Sequence, residues 1–245
     1  MDSVVGIAVG ISIVLGAGFI QGLTSFGFAL VSVPLLSTFL PVAEVVPLVV
    51  LLSLGTNLVI LAGAYRDVEF RKIWVLVAAS FVAAPLGTLA LVSIPPTLIK
   101  GVAGVLIVAV SLLMLAGRTF PVKSERTAFV PVGLLSGFLN GSISMSGPPV
   151  ALFLSNQKTR KETFRASITI YAILLNGFTL VTFFFTGLLT RQVAVATGWL
   201  VPSMILGVLL GNLAVQRLSQ QVFRKLALFL ILGSGLWTLW QVFGR

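Results

Sequence analysis

The segment Gly18-Phe-Ile-Gln-Gly22-Leu-Thr-Ser-Phe-Gly27 has an echo 119 residues later, Gly137-Phe-Leu-Asn-Gly141-Ser-Ile-Ser-Met-Ser-Gly147, and each lies inside an uncharged apolar stretch. Glycine, hydroxyl and amide residues gathered in this way interrupt a helix. In hydrocarbon an interrupted helix survives only where protein or a water-filled cavity satisfies the freed backbone groups. Two matching interruptions are how many membrane transporters build a central site. Carriage of a solute across a bilayer is therefore the first expectation.

The bilayer is required before any motif is read. Hydrophobic residues make up 58% of the chain and charged residues 9%, with a mean hydropathy of +1.13. A soluble core of this length cannot hide so much apolar surface. Uncharged stretches near 4–40, 45–64, 73–94, 101–117, 127–157, 166–187, 193–214 and 226–243 are the candidate spans. Most match the roughly 20 residues a membrane helix needs. The first and fifth are too long for one helix, and both read as a pair of short helices folded back through a break.

Asp2 is the only charge before Glu44, and no short apolar run ends in a small-residue cleavage site, so no cleaved signal peptide is expected. The chain has no cysteine and no histidine. That removes disulfides, thiolate metal sites and the usual proton-transfer base. With six acids, mostly in loops, the usual catalytic constellations cannot be assembled. The expectation is a non-enzyme with no cofactor and no metal.

The internal similarity reaches beyond the glycines. At the same spacing Gln21 meets Asn140 and Asn57 meets Asn176, while Gly87-Thr-Leu-Ala90 resembles Gly211-Asn-Leu-Ala214 and Lys100 falls opposite Arg224. The chain reads as two duplicated halves, 1–120 and 121–245, forming one membrane domain. If 4–40 and 127–157 each enter and leave on one side, thirteen of the sixteen basic residues fall on one face. These are Arg66, Arg71, Lys72, Arg118, Lys123, Arg126, Lys158, Arg160, Lys161, Arg165, Arg217, Arg224 and Lys225; Lys100, Arg191 and Arg245 fall opposite. The excess of positive charge on cytoplasmic loops then makes the crowded face cytoplasmic and both termini external. Each half has an odd number of crossings, so the second is inverted. The expected fold is an all-α polytopic protein of two inverted-topology repeats, each a broken or re-entrant hairpin plus three transmembrane helices, in the plasma membrane.

At each break the first N–H groups of the following half-helix are free and carry part of the helix dipole. Two such termini meeting near the midplane suit an anion. Around them stand the neutral donors Gln21, Thr24 and Ser25, and Asn140, Ser142, Ser144 and Ser146, with Gly22, Gly27, Gly141 and Gly147 expected to give the backbone its freedom. Asn57 and Asn176 complete the candidate substrate-binding set. Pro148 and Pro149 mark the start of the second half-helix. Arg165 is a candidate mouth residue, and Glu44 a candidate coupling carboxylate.

Glycine with amide or hydroxyl residues, followed by a Phe-Gly or Gly-Pro-Pro break in each of two halves, resembles the TauE/SafE sulfite exporter family of membrane anion permeases. The resemblance rests on Gly18 to Pro34, Gly137 to Ser155 and the duplication. It implies movement of a small sulfur-containing anion, sulfite or an organosulfonate, with export as the direction and alternating access between the hairpins as the mechanism. A coupling ion, proton or sodium, and an oligomer are compatible with it.

Plainer readings stand beside these. Small-xxx-small pairs such as Gly18 and Gly22 also serve close helix packing, and a membrane asparagine also acts as interhelical glue. The basic loop 158–165 is a topology signal and a contact for anionic lipid, and the net charge of +10 does not argue for nucleic acid in a membrane chain. Glu44 also fits a solvated acid at a helix start. A passive anion channel and a non-transporting assembly component are the rival functions.

Overall fold

The computed structural model describes residues 4–116 and 124–244, with backbone alone at 4–6, 70–72, 96, 125 and 126. Arg118, Lys123, Arg245 and the expected boundary at 120/121 lie outside the described residues, as do the side chains of Arg71, Lys72 and Arg126. The described chain is helical throughout: α1 Val4–Thr24, α2 Phe28–Leu36, α3 Val42–Ala64, α4 Phe70–Ser93, α5 Pro96–Leu115, α6 Glu125–Ile143, α7 Gly147–Asn156, α8 Lys161–Phe185, α9 Arg191–Gln216 and α10 Gln220–Phe243. Local chemistry sets several starts. Thr190 and Ser219 accept from the N–H of Val193 and Val222 as N-caps, and α5 and α7 open with proline in the first turn, where no donor is wasted.

Seven of these helices, α1, α3, α4, α5, α8, α9 and α10, are long and apolar enough to cross a membrane, and α6 is a shorter apolar helix. The two long uncharged stretches do break in the middle, but not into pairs of short helices. Their first arms have 21 and 19 residues, and only the second arms, of 9 and 10, are short. The reason is that helix runs straight through Gly22 and Gly141 instead of ending there. The chain turns later, at Ser25 (φ 70°) and Ser144 (φ 59°), both in the left-handed region.

The glycines serve close approach. A Cβ on Gly22 would stand 2.3 Å from Val208 O and 2.8 Å from Asn212 N of α9; one on Gly141 would stand 2.2 Å from Ala84 O and 2.7 Å from Thr88 N of α4. Helix α1 therefore packs on α9 and α6 on α4, while α3 packs on α8 and α5 on α10. Exchanging the halves turns the α1–α9 contact into the α6–α4 contact and leaves the other two unchanged. The matching atoms on α4 and α9 are 124 residues apart, the register of Gly87-Thr-Leu-Ala90 and Gly211-Asn-Leu-Ala214.

Large apolar side chains cover the outside: Phe185, Trp199, Val82 and Phe229 are all mostly exposed, while Gln21, Asn57, Asn140 and Asn176 are at most 2% exposed. A molecule with amides inside and phenylalanines outside is built for lipid.

Candidate substrate site between the two helix breaks

The two breaks touch. Gly147, the first residue of α7, lies so close to Phe26 in the first break that a Cβ there would stand 2.8 Å from the Phe26 Cβ. Between them is a small cavity lined by Gln21, Ser25, Phe26, Ala29 and Leu30 of the first hairpin, Ser144, Met145, Ser146, Gly147 and Pro148 of the second, and Ser53, Asn57, Ile168, Tyr171 and Ala172 of α3 and α8. The starts of both short helices face it. Its volume is about 20 Å³, room for about one water. A tetra-atomic oxyanion does not fit until something moves.

A line of amides crosses from one half to the other along the wall of this cavity and behind it. Gln21 Nε2 donates to Asn57 Oδ1 (3.1 Å), Asn57 Nδ2 to Ser53 Oγ (3.3 Å), Asn176 Nδ2 to the same Ser53 Oγ (3.3 Å), and Asn140 Nδ2 to Asn176 Oδ1 (3.2 Å). Two amides thus converge, at long distance, on one hydroxyl. The hydrogen bonds are worth roughly 1 kcal/mol each, so the line is held by burial and can be rearranged by a better acceptor.

The breaks are capped differently. Gln21 Oε1 accepts from Phe28 N (2.8 Å) and Gln21 Nε2 donates to Ser25 O (3.2 Å), so one side chain satisfies the start of α2 and the turn. Position 147 corresponds to 28 in the repeat, but Asn140 is one methylene shorter than glutamine. Its Oδ1 is buried without a partner. Pro148 and Pro149 remove two further donors from α7, and the hydroxyl of Ser146 makes no cap bond. In place of these a buried hydroxyl chain holds the second break: Tyr171 Oη donates to Ser136 Oγ (2.6 Å), which donates to Ser146 O (2.6 Å), while Ser80 Oγ lies 2.7 Å from Tyr171 Oη.

Of the residues expected at the site, Gln21, Ser25, Asn57, Ser144, Ser146 and Gly147 line the cavity. Asn140 and Asn176 stand behind it in the amide line. Thr24 and Ser142 bond back to Ile20 O and Phe138 O on their own helices. The freedom of the turn, expected of Gly22, Gly27, Gly141 and Gly147, belongs to Ser25 and Ser144: Gly22 and Gly141 are at helix crossings, Gly27 has φ −85°, and Gly147 gives room to Phe26. Arg165 reaches Ser25 from α8, donating from Nε to Ser25 Oγ at 3.2 Å. Glu44 lies apart, in a separate cavity of about 630 Å³ shared with Arg191, Gln192 and Trp199. Ser53 escaped sequence reasoning, although it precedes Asn57 by four residues and so shares its helix face; no matching serine marks it, because its counterpart is Ala172.

The sequence profile described as sulfite exporter TauE/SafE matches residues 10–238. The chain belongs to that family. No curated protein and no solved structure gives a significant match. As a TauE/SafE member with seven membrane-length helices, the chain is an integral multi-pass membrane protein of a transporter family, and the family description points to a small anion as its substrate.

Proposed function

We propose that this TauE/SafE protein is a secondary carrier that exports a small sulfur-containing anion, sulfite or an organosulfonate, across the plasma membrane. The substrate is bound between the two breaks, and the halves act as inverted repeats that move against each other by alternating access. The observation that carries this reading is the small cavity with polar lining where both short-helix starts, Ser53 and the amide line converge. Helix starts and amide N–H groups stabilise an oxyanion without a fixed charge in the cavity itself. The small volume supports an occluded state. A channel reading would call for a continuous wet path along this axis, and the cavity between the breaks has room for about one water.

The basic loops face the cytoplasm in this reading, with both termini outside. An inside-negative potential then favours exit of the anion, at about 2.3 kcal/mol per charge per 100 mV. The test is exchange: liposomes carrying the purified protein and loaded with unlabelled sulfite should accumulate radiolabelled sulfite transiently and saturably. Linear, non-saturating flux without counterflow would favour a channel instead.

A further inference from the structure

Arg165 is the fifth residue of α8 and is partly buried beside the first break. Its three hydrogen bonds all go to neutral oxygens: Nε to Ser25 Oγ (3.2 Å), Nη2 to Gly22 O (3.0 Å) and Nη2 to Asn212 Oδ1 (2.7 Å). Glu162, the acid nearest in sequence, lies instead within ion-pair distance of Arg160 and Lys161. Glu162 attracts the guanidinium only through space, and a partly buried guanidinium with no carboxylate among its hydrogen-bond partners is costly to keep. It also touches the cavity wall, because its partner Ser25 lines the cavity.

Among the described residues no arginine hydrogen-bonds the turn of the second break. In the repeat register position 165 corresponds to Val46, and the contacts agree. Where Arg165 bonds the left-handed Ser25, the left-handed Ser144 donates from its Oγ to Val46 O at 3.0 Å. Asn212 corresponds to Thr88 in the α4/α9 register, and Thr88 pairs with Thr182 at 3.0 Å. Among the described residues the first break is therefore held by a cation on neutral acceptors, and the second by hydroxyl and backbone hydrogen bonds. The Arg165 mouth belongs to the basic face: Lys161 Nζ donates to Leu218 O (2.8 Å) and Gln220 Nε2 to Thr159 O (3.0 Å), which ties the loop bearing Lys158 and Arg160 to the one bearing Arg217.

We propose that Arg165 is the residue that captures the anion, and that it makes the carrier chemically one-sided. The assignment rests on the carrier reading above. An oxyanion arriving at the basic face replaces Ser25 Oγ and Asn212 Oδ1 as acceptor for the guanidinium fork, a geometry that suits two oxygens of one anion. The exchange releases α8 from the Ser25 turn and from α9, and opens the way to the cavity. Among the described residues no guanidinium holds the turn of the second break, so release there does not pass through such a contact.

The test compares half-saturating sulfite concentration from the two faces, in membrane vesicles of opposite orientation. Orientation is checked with an impermeant maleimide on a variant carrying Arg160→Cys, since the chain has no native thiol. Arg165→Gln is expected to raise the value from the basic face by about tenfold or more, the effect of losing a charge-assisted contact, and to leave the opposite face within about threefold. Arg165→Lys keeps the charge without the fork and should give an intermediate shift on the basic face only; it also carries the test if the glutamine variant does not fold. Equal shifts on both faces, or none, overturn the assignment while the carrier reading stands. No exchange by the parent protein removes both.

Discussion

The two helix breaks share a backbone and differ in chemistry. Both turn at a left-handed serine, Ser25 and Ser144, and both follow a glycine pressed against a neighbouring backbone. In the first, Gln21 reaches Phe28 N and a guanidinium holds the serine. In the second, Asn140 leaves its oxygen unpaired, two prolines replace donors, and the Tyr171 hydroxyl chain supports the turn. The parts that set helix approach match at the two breaks, while the groups facing the cavity differ. That division is expected of a carrier whose two mouths meet different compartments.

The largest effects should come from the glycine crossings, where the halves ought to behave alike. Gly22→Leu and Gly141→Leu each drive a side chain into a carbonyl of the neighbouring helix and should cost more than about 3 kcal/mol, seen as loss of the monodisperse peak in size-exclusion chromatography. Gly137→Ala should be worse than Gly18→Ala, because the added Cβ would stand 2.2 Å from Ser80 O in the first case and 2.9 Å from Met204 O in the second. By contrast Gly16 and Gly233 have nothing within 4 Å, and alanine there should be neutral or stabilising by about 0.5–1 kcal/mol.

Next comes the amide line. Ser53→Ala removes the hydroxyl on which Asn57 and Asn176 converge, and should lower sulfite exchange by about tenfold, with the loss of hydrogen bonds worth roughly 1 kcal/mol each. Ala172→Ser, which restores the symmetric hydroxyl, should have the smaller effect; if Ser53→Ala exchanges at the parental rate, the line is only glue.

The second break offers two milder tests. Tyr171→Phe removes the hydroxyl shared with Ser136 and Ser80, and should cost about 1–2 kcal/mol in thermal denaturation. Asn140→Gln should gain about 0.5–1.5 kcal/mol by reaching Gly147 N as Gln21 reaches Phe28 N, whereas Gln21→Asn should lose a similar amount. Equal melting temperatures for both variants and the parent would break the comparison of the two caps.

Much of this was legible in the residues. The breaks within Gly18–Gly27 and Gly137–Gly147, the correspondence of Gln21 with Asn140, and that of Asn57 with Asn176 all follow from the internal similarity, because polar residues at one register stand out in apolar sequence. The roles of the glycines were not legible: whether a small residue frees a backbone or admits a neighbour depends on the partner helix, and α9 lies nearly two hundred residues from Gly22. Ser53 and Asn212 were missed for the opposite reason. Their counterparts, Ala172 and Thr88, break the symmetry that exposed the others.

The most direct measurement of the central claim is counterflow of radiolabelled sulfite into liposomes containing the purified protein, challenged by unlabelled sulfonates, thiosulfate, sulfate and carboxylates. Saturable exchange, competed best by sulfur oxyanions and reduced by Ser53→Ala, is the predicted result. Folded protein that exchanges none of the sulfur anions would contradict it.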